Sequence, residues 1–240
     1  MRESFKSYAT KGVVSFALAG ALALPLYVIS KPGQSLERPT ERVSGHARVV
    51  DGDTLVINGL TVRLEGIDAP ELGQHCPHRW WGRWAAGRRA AESLRALVRR
   101  ATVTCERHGT DAYGRMIGIC TANGQVLNKE MVQRGLAWAF VKYSQRYVSA
   151  ERDARARGVG IWQRACEPAW TYREARWSGG MRRAPKGCAI KGNINARGRR
   201  VYHMPWGQWY ARTKIEPAKG ERWFCDESEA LRAGWQPSRR

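Results

Sequence analysis

The sequence predicts an α+β fold, mainly β, in which a small closed barrel with helices packed on it precedes a smaller β-rich module. Short segments of alternating apolar and polar residues are separated by tight turns such as Asn58-Gly59, whose residues readily take positive φ. Few segments have the 3,4-spaced apolar residues of an amphipathic helix. Short strands with few helices are typical of small barrels. A chain of 240 residues can bury one good core and a second small one.

The N-terminal segment has the pattern of an export signal. Residues 12–29 carry no charge and follow a stretch with three basic residues, which predicts a signal over residues 1–30. Cleavage near residues 21–23 and retention as a membrane anchor both stay open, because 18 apolar residues just span a bilayer; a buried core helix is the third alternative. The basic flank places the rest of the chain outside the cytoplasm, either membrane-anchored or periplasmic or secreted. Residues 31–44 are polar with two prolines and predict a linker.

The elements of the first domain, residues 45–167, follow from their periodicities and turn signals. Residues 60–65 alternate apolar and polar side chains and so predict a strand. Asn128 is a candidate N-cap for a short helix that Gly135 ends. We predict strands over residues 46–50, 54–57, 60–65, 102–106 and 116–121, and helices over residues 83–100, 128–134 and 149–157.

The composition of the chain changes at residue 168 and again at residue 188. Residues 168–187 are basic and rich in glycine, which predicts a linker. Residues 188–240 predict a compact β-rich module of about 50 residues, which is small for a stable core without a cross-link. Cys188 and Cys225 bracket this module, so we predict a disulfide between them. The alternative is a zinc site that also uses His203, although a clear fourth ligand is lacking.

Because the chain is predicted to lie outside the cytoplasm, we expect its six cysteines to pair, and their even number suits three disulfides, although six cysteines allow about 15 pairings. Cys105 and Cys120 lie in two predicted strands joined by one turn, so we expect them side by side. A disulfide across this separation of 15 residues stabilises a fold by about 3 kcal/mol. Two buried thiols are the alternative.

The charge of the chain favours a polyanionic partner. With 41 Lys+Arg and 21 Asp+Glu the formal net charge is +20. Such a charge attracts phosphate backbones or anionic membranes, and we favour nucleic acid. The hydrophobic fraction of 43% argues against wholesale disorder.

An acidic cluster nevertheless surrounds the first predicted hairpin. Asp53 begins one strand and Asp68 lies just past the end of its partner, so antiparallel pairing brings both carboxylates to the same end of the sheet. With the backbone carbonyl of Ala69 they form a candidate site for a hard divalent cation. The alternative is that Asp51-Gly52-Asp53 is only a turn.

Two arginines and a glutamate extend this candidate site. Arg63 alternates out of the core toward the same end, and Arg115 closes a tight turn; a guanidinium suits a phosphate. Glu71 follows Pro70 on a stiffened loop, where a carboxylate can orient or deprotonate water. With a metal, these groups suffice for in-line attack on a phosphodiester. The alternatives are an ion pair between Arg63 and a neighbouring glutamate, and a solvated hairpin at Arg115.

The sequence resembles the staphylococcal nuclease, or thermonuclease, family over about residues 45–165, through five segments in the family's order and spacing. They are D-G-D-T at 51–54, R-L-E-G-I-D-A-P-E at 63–71, D-A-Y-G-R at 111–115, L-N-K-E-M-V-Q-R-G-L-A at 127–137 and A-E-R-D-A-R-A-R-G-V-G-I-W at 150–162. The resemblance implies an OB-fold five-stranded barrel with three helices. It also implies a calcium-dependent phosphodiesterase that acts on DNA and RNA and leaves 3′-phosphate ends.

The resemblance also implies roles for individual residues. The implied catalytic residues are Arg63, Glu71 and Arg115; the implied Ca2+ ligands are Asp53, Asp68 and, through its backbone carbonyl, Ala69; and the implied substrate-phosphate contact is Tyr113. The family's best-known member has threonine where this chain has Ala69, so only a hydroxyl is lost. Glu71 would act as general base or water-orienting group, while the two arginines would hold the phosphate.

Two regions outside these segments complete the prediction. Cys76 and Cys166 are the candidates for a third disulfide. The C-terminal stretch resembles the small "sunset" domain, through C-A-I-K-G-N-I-N, V-Y-H-M-P-W-G and G-E-R-W-F-C. That module has no firm activity, and its basic, aromatic composition suits DNA or the cell envelope.

Two functions follow from these observations. The first is an exported, monomeric, calcium-dependent nuclease, tied to the membrane if its N-terminal segment is not cleaved. The second is a non-catalytic nucleic-acid- or polymer-binding protein of the cell envelope that uses the barrel. The complete set of implied catalytic side chains favours the first.

Overall fold

The computed structural model describes residues 41–238. The predicted export segment, residues 1–30, lies outside the described residues, as does the predicted linker up to residue 40. The last residues of that linker instead begin the first strand at Arg42. Within the described range, no helix is both long and apolar enough to cross a membrane.

A curled mixed sheet forms the body of the first domain. Its strand order is β1-β8-β9-β4-β3-β2, with β10 beside β9, and the only parallel pair in it joins β4 to β9. The strands of this domain are β1 (Arg42–Gly45), β2 (Ala47–Val49), β3 (Thr54–Ile57), β4 (Leu60–Leu64), β5 (Ile67–Asp68), β6 (Cys76–Pro77), β7 (Arg83–Trp84), β8 (Val103–Thr110), β9 (Met116–Ala122), β10 (Gln125–Val126) and β11 (Trp138–Ala139). Only His46 separates β1 from β2, which lie at opposite ends of the order, so the sheet curls back on itself. This arrangement fits an α+β, OB-like half-barrel, whereas the predicted count of five strands is not confirmed, because the described sheet has seven.

The two predicted Asn-Gly turns are present and set the register of their strands. Asn58 and Gly59 have φ of 49° and 83°, and Asn123 and Gly124 have φ of 50° and 74°. The first turn pairs β3 with β4 so that Thr54 lies opposite Arg63. This register brings Asp53, the residue before Thr54, next to Arg63.

Helices cover one side of the curled sheet and enclose the main core. They are α1 (Ala86–Val98), α2 (Leu127–Gln133) and α3 (Val148–Arg157). In α1 the residues at 3,4 spacing are buried, as the pattern predicts, and they include Ala90, Leu94 and Val98. The core that they close contains Leu55, Ile57, Val62, Leu64, Val103, Met116, Leu127 and Met131.

Asn128 does not cap α2 as predicted, because it lies inside the helix and makes no side-chain cap. Its buried amide instead joins three segments of the fold. Its Oδ1 accepts from the Cys120 N–H at 3.0 Å, and its Nδ2 donates to the Glu65 carbonyl at 2.9 Å. The helix is thereby fixed to the sheet below the candidate site.

The predicted linker over residues 168–187 is wrong, because most of it forms the 15-residue helix α4 (Ala169–Arg183). The glycines within this segment do not end the helix. At Gly180 a Cβ would lie 3.1 Å from Pro205 and 3.2 Å from Ala189, so a small residue is needed where the helix packs on the next module. This helix carries a functional side chain into the first domain, as described below.

The C-terminal module has its own small core. Its sheet has the order β14-β12-β13-β15, and α5 packs beside it. The elements are β12 (Ile190–Ile194), β13 (Arg200–His203), β14 (Arg222–Phe224), α5 (Glu227–Arg232) and β15 (Gln236–Pro237). The buried side chains include Ile190, Tyr202, Phe224 and Trp235.

Three disulfides cross-link the described residues, which hold no free cysteine. Cys105 and Cys120 are direct cross-strand neighbours on β8 and β9, with a Cα–Cα distance of 4.0 Å. Cys76 pairs with Cys166 across 90 residues of sequence. Cys188 pairs with Cys225, so the alternative zinc site with His203 is wrong: its two thiolates are used in the bridge.

Candidate active site

Three buried carboxylates meet at the open end of the first hairpin. Asp53 lies just before β3, where its carbonyl accepts from the Leu64 N–H at 2.8 Å. Asp68 ends β5 and is fully buried beside β11. Glu71 lies three residues further on and is 7% exposed. The strand pairing therefore collects side chains that the sequence spreads over 19 positions, and the aspartates lie together as predicted.

Arg63 joins the two aspartates. Its Nη1 donates to Oδ1 of Asp53 at 2.9 Å, and its Nη2 donates to Oδ1 of Asp68 at 2.8 Å. Although burial raises the pKa of Asp53, the charge of Arg63 and the Ala69 N–H, which donates to Oδ2 at 2.9 Å, leave that pKa lowered. Burial alone would lower the pKa of Arg63, yet the two aspartates raise it above its ordinary value. Asp53 and Arg63 therefore stay ionised at neutral pH.

A second arginine, Arg173, enters the site from α4. Its Nη1 donates to Oδ1 of Asp68 at 3.1 Å and to Oε1 of Glu71 at 3.0 Å, and its Nη2 donates to Oδ2 of Asp68 at 2.8 Å. Burial lowers the pKa of Arg173, but the hydrogen bonds and charges of these carboxylates raise it overall. Arg173 thus bridges the candidate metal ligand and the candidate base.

The loop that carries Glu71 is fixed by two neighbours. The Glu71 N–H donates to Oε1 of the buried Gln74 at 3.1 Å, and Nε2 of Gln74 donates to the Glu167 carbonyl at 2.6 Å. On the other side, a Cβ at Gly87 would lie 1.8 Å from the Glu71 carbonyl oxygen, so only glycine permits α1 to approach the loop. Glu71 is therefore held from both sides.

Arg115 and Tyr113 lie on the turn between β8 and β9. The Arg115 Nε donates to Oδ2 of Asp111 at 2.6 Å, and its guanidinium carbon lies 5.3 Å from the centre of the Tyr113 ring. The charge of Arg115 also contributes to lowering the pKa of Asp53, so it acts on the acidic cluster. Burial raises the pKa of Tyr113, which is 46% exposed and keeps its proton at neutral pH.

Comparison with known proteins covers part of this site, because Asp53 lies before the matched range and Arg173 lies after it. The family model described as "Staphylococcal nuclease homologue" matches residues 61–164. An uncharacterized endonuclease of Haemophilus influenzae is 37% identical over 103 residues, 42% of this chain and 52% of its own length. A succinoglycan biosynthesis protein, ExoI, of Rhizobium meliloti is 33% identical over 168 residues, 69% of this chain and 85% of its length. The micrococcal nuclease of Shigella flexneri is 36% identical over 129 residues, 48% of this chain and 68% of its length.

The chain belongs to the staphylococcal nuclease family. It spans about half the length of the Haemophilus relative. The family match includes Arg63, Asp68, Glu71 and Arg115, whereas Arg173 lies beyond its end at residue 164. The resemblance of the C-terminal module to the sunset domain stays a prediction.

The site of this nuclease-family chain fits a hard cation by the type of its ligands but not by their present pairing. Buried carboxylate oxygens and a backbone carbonyl are the ligands that Ca2+ prefers. No group of three or more His, Cys, Asp or Glu side chains is arranged as a metal site in residues 41–238. Both oxygens of Asp68 are instead occupied by Arg173, and one of them is shared with Arg63. A cation at Asp68 would therefore compete with Arg173 for these oxygens.

The sequence did not reveal Arg173 or Gln74 as members of the site. Arg173 lies 105 residues after Asp68, in a stretch whose composition predicts a linker. Gln74 carries no charge and lies in a loop without periodicity, although its place three residues after Glu71 was a usable signal for a loop-closing hydrogen bond.

Proposed function

We propose that this thermonuclease-like endonuclease is an exported, monomeric enzyme that hydrolyses phosphodiester bonds of DNA and RNA with Ca2+ and leaves 3′-phosphate ends. The single observation that carries the proposal is the convergence of Asp53, Asp68 and Glu71 with Arg63 in one buried cluster. Such a cluster can hold a cation against a phosphate and place a carboxylate beside the attacking water.

In this mechanism each side chain has one task. Asp53, Asp68 and the carbonyl of Ala69 would hold Ca2+, which supplies a positive charge for the phosphate oxygens. Glu71 accepts a proton from the attacking water, whose oxygen bonds to phosphorus as the bond to the 5′ oxygen breaks. The leaving oxygen becomes a 5′-hydroxyl with a proton from solvent.

The two arginines would bind the phosphate of the substrate. Arg63 and Arg115 are permanently charged planar donors and would bind the non-bridging oxygens as their negative charge grows. Tyr113, which lies against Arg115 and keeps its hydroxyl proton, would donate to a neighbouring phosphate. The basic excess of the chain, a formal net charge of +20, would draw the polyanion to this cluster.

The three disulfides support export. Disulfides persist in oxidising compartments and are rare in the cytosol, and the described cysteines are all paired. We propose an extracytoplasmic location, either membrane-anchored or periplasmic or secreted. Fractionation of cells that express the full chain tests this proposal: a cytoplasmic protein with free thiols would contradict it.

A direct assay tests the reaction. The purified chain is incubated with labelled single-stranded DNA or RNA in Ca2+ or in excess chelator, and the product ends are tested with a 3′-phosphatase. We expect Ca2+-dependent cleavage and ends that are extended by polymerase only after phosphatase treatment. Arg115→Ala should lose orders of magnitude of rate, while Arg152→Ala, an exposed arginine on α3, should not.

A second candidate function is binding of nucleic acid or another polymer without cleavage. The pairing of Arg173 with both Asp68 and Glu71 favours it, because the two carboxylates are neutralised in this state. Equal binding of the polymer in Ca2+ and in chelator, with the polymer left uncleaved in both, would establish this second function.

A further inference from the structure

Two adjacent tryptophans stand exposed at the tip of a small hairpin. Trp80 and Trp81 are 75% and 85% exposed, the largest exposures among the large hydrophobic side chains of the described residues. Single exposed apolar residues are common, but two neighbouring indoles at one tip form a surface that is open to a ligand. Nothing in the proposed mechanism uses them.

The hairpin that presents them, β6 and β7, is held rigidly. Its base is tied by the Cys76–Cys166 disulfide. Along its side, Nε of Arg164 donates to the Arg79 carbonyl at 3.1 Å, and Nη2 of Arg79 donates to the Gly158 carbonyl at 3.3 Å. A rigid platform loses little conformational entropy when it binds a ligand.

Cationic residues lie beside the base of the hairpin. A groove of about 620 Å³ borders the hairpin at His78 and Trp84. It is also lined by Arg88, Arg89 and Arg134, against one carboxylate among its lining residues, Glu92. Aromatic faces for bases beside arginines for phosphates are the combination that binds single-stranded nucleic acid without sequence preference.

The hairpin lies close in sequence to the candidate active site. The loop of Glu71 leads directly into the hairpin, and Trp80 follows Glu71 by only nine residues. Gly87, whose backbone lies against the Glu71 carbonyl, is followed by Arg88 and Arg89 of the groove. The same chain segment therefore carries Glu71 and the hairpin, and the helix that packs on the Glu71 loop carries two arginines of the groove.

We propose that the hairpin from Cys76 to Trp84 is a stacking platform on which Trp80 and Trp81 hold bases of single-stranded nucleic acid. This inference rests on the proposed function in taking nucleic acid as the ligand. A concave groove lined by arginines suits a flexible phosphate backbone better than a flat bilayer, which is why we choose nucleic acid over an anionic membrane.

The test is binding rather than cleavage. The wild-type full chain and the variants Trp80→Ala/Trp81→Ala and Trp80→Phe/Trp81→Phe are titrated in chelator against a labelled oligothymidylate. The same titration uses an oligomer of equal length without bases. We expect the alanine variant to bind oligothymidylate about tenfold more weakly or worse, to bind the abasic oligomer as the wild type does, and the phenylalanine variant to regain most of the affinity.

Three results would overturn the inference. They are unchanged affinity of the alanine variant for oligothymidylate, an equal loss on the abasic oligomer, and a loss confined to phosphatidylglycerol vesicles in a parallel sedimentation assay. A loss confined to the vesicles would show that the tip of the hairpin binds a membrane. Failure of the proposed function is a separate result, namely no Ca2+-dependent cleavage by the wild type, and it leaves these binding data intact.

Discussion

Arg173 donates from Nη1 to Oε1 of Glu71 at 3.0 Å, and this one bond ties helix α4 to the candidate general base. The same guanidinium also takes both oxygens of Asp68. Asp68 is fully buried and the Arg173 side chain is 22% exposed, so solvent screens this pairing little. We therefore expect a cation at Asp68 to compete with this arginine, which would couple cation binding to α4.

Replacing Arg173 should strengthen calcium binding. In Arg173→Gln the positive charge that competes for Asp68 and Glu71 is gone, so we expect Ca2+ affinity by calorimetry to rise at least about tenfold, or about 1.4 kcal/mol. Without calcium the variant should be less stable by about 3 kcal/mol, since buried carboxylates lose a partner. Arg176→Gln, an exposed change on the same helix, is the control and should alter neither quantity. Equal calcium affinity in wild type and Arg173→Gln would rule out the competition.

Gln74 should act through Glu71. Gln74→Ala removes the acceptor of the Glu71 N–H and the donor to the Glu167 carbonyl, and an unsatisfied buried group costs about 1–3 kcal/mol. Because the glutamate would lose its fixed position, we expect kcat to fall about tenfold while KM changes less than twofold. Gln125→Ala, an exposed position on β10, is the control. A stability loss with unchanged kcat would show that Gln74 only supports the fold.

His203 should make the C-terminal module sensitive to acid. Burial, with a smaller contribution from the charge of Lys191, lowers the pKa of His203 to about 4 from 6.5. Because the unfolded chain takes up a proton on this residue at a higher pH than the folded chain does, stability should fall as the pH drops from about 6.5 to about 4. Thermal melts across that range measure it. His203→Gln should flatten this part of the profile, and an identical slope in the variant would contradict the assignment.

The hairpin half of the site was predictable from the sequence because local signals determine it. An Asn-Gly turn with alternating residues on both sides fixes the register, and the register places Asp53 beside Arg63. The position of Asp68 then follows, because β5 begins only a few residues after the end of β4 in the sequence. For these residues sequence spacing and spatial position agree.

The part that comes from α4 was not predictable from the same signals. Glycines at residues 179 and 180 resemble a break, but Gly180 is there because the helix packs against Pro205 and Ala189. The contact with Pro205 depends on a segment more than 20 residues away, so no local sequence pattern predicts it. Because the sequence does not predict this helix, it does not place Arg173 at the site.

In the proposed reaction, Glu71 performs the chemistry in the cluster of Asp53, Asp68 and Arg63. The most direct measurement is the single-turnover cleavage rate of Glu71→Gln at saturating Ca2+, with Glu216→Gln, an exposed glutamate of the C-terminal module, as the matched control. We expect a rate about 10²–10⁴-fold below wild type, unchanged substrate binding and a wild-type rate for the control. A Glu71→Gln rate within twofold of the control would contradict it.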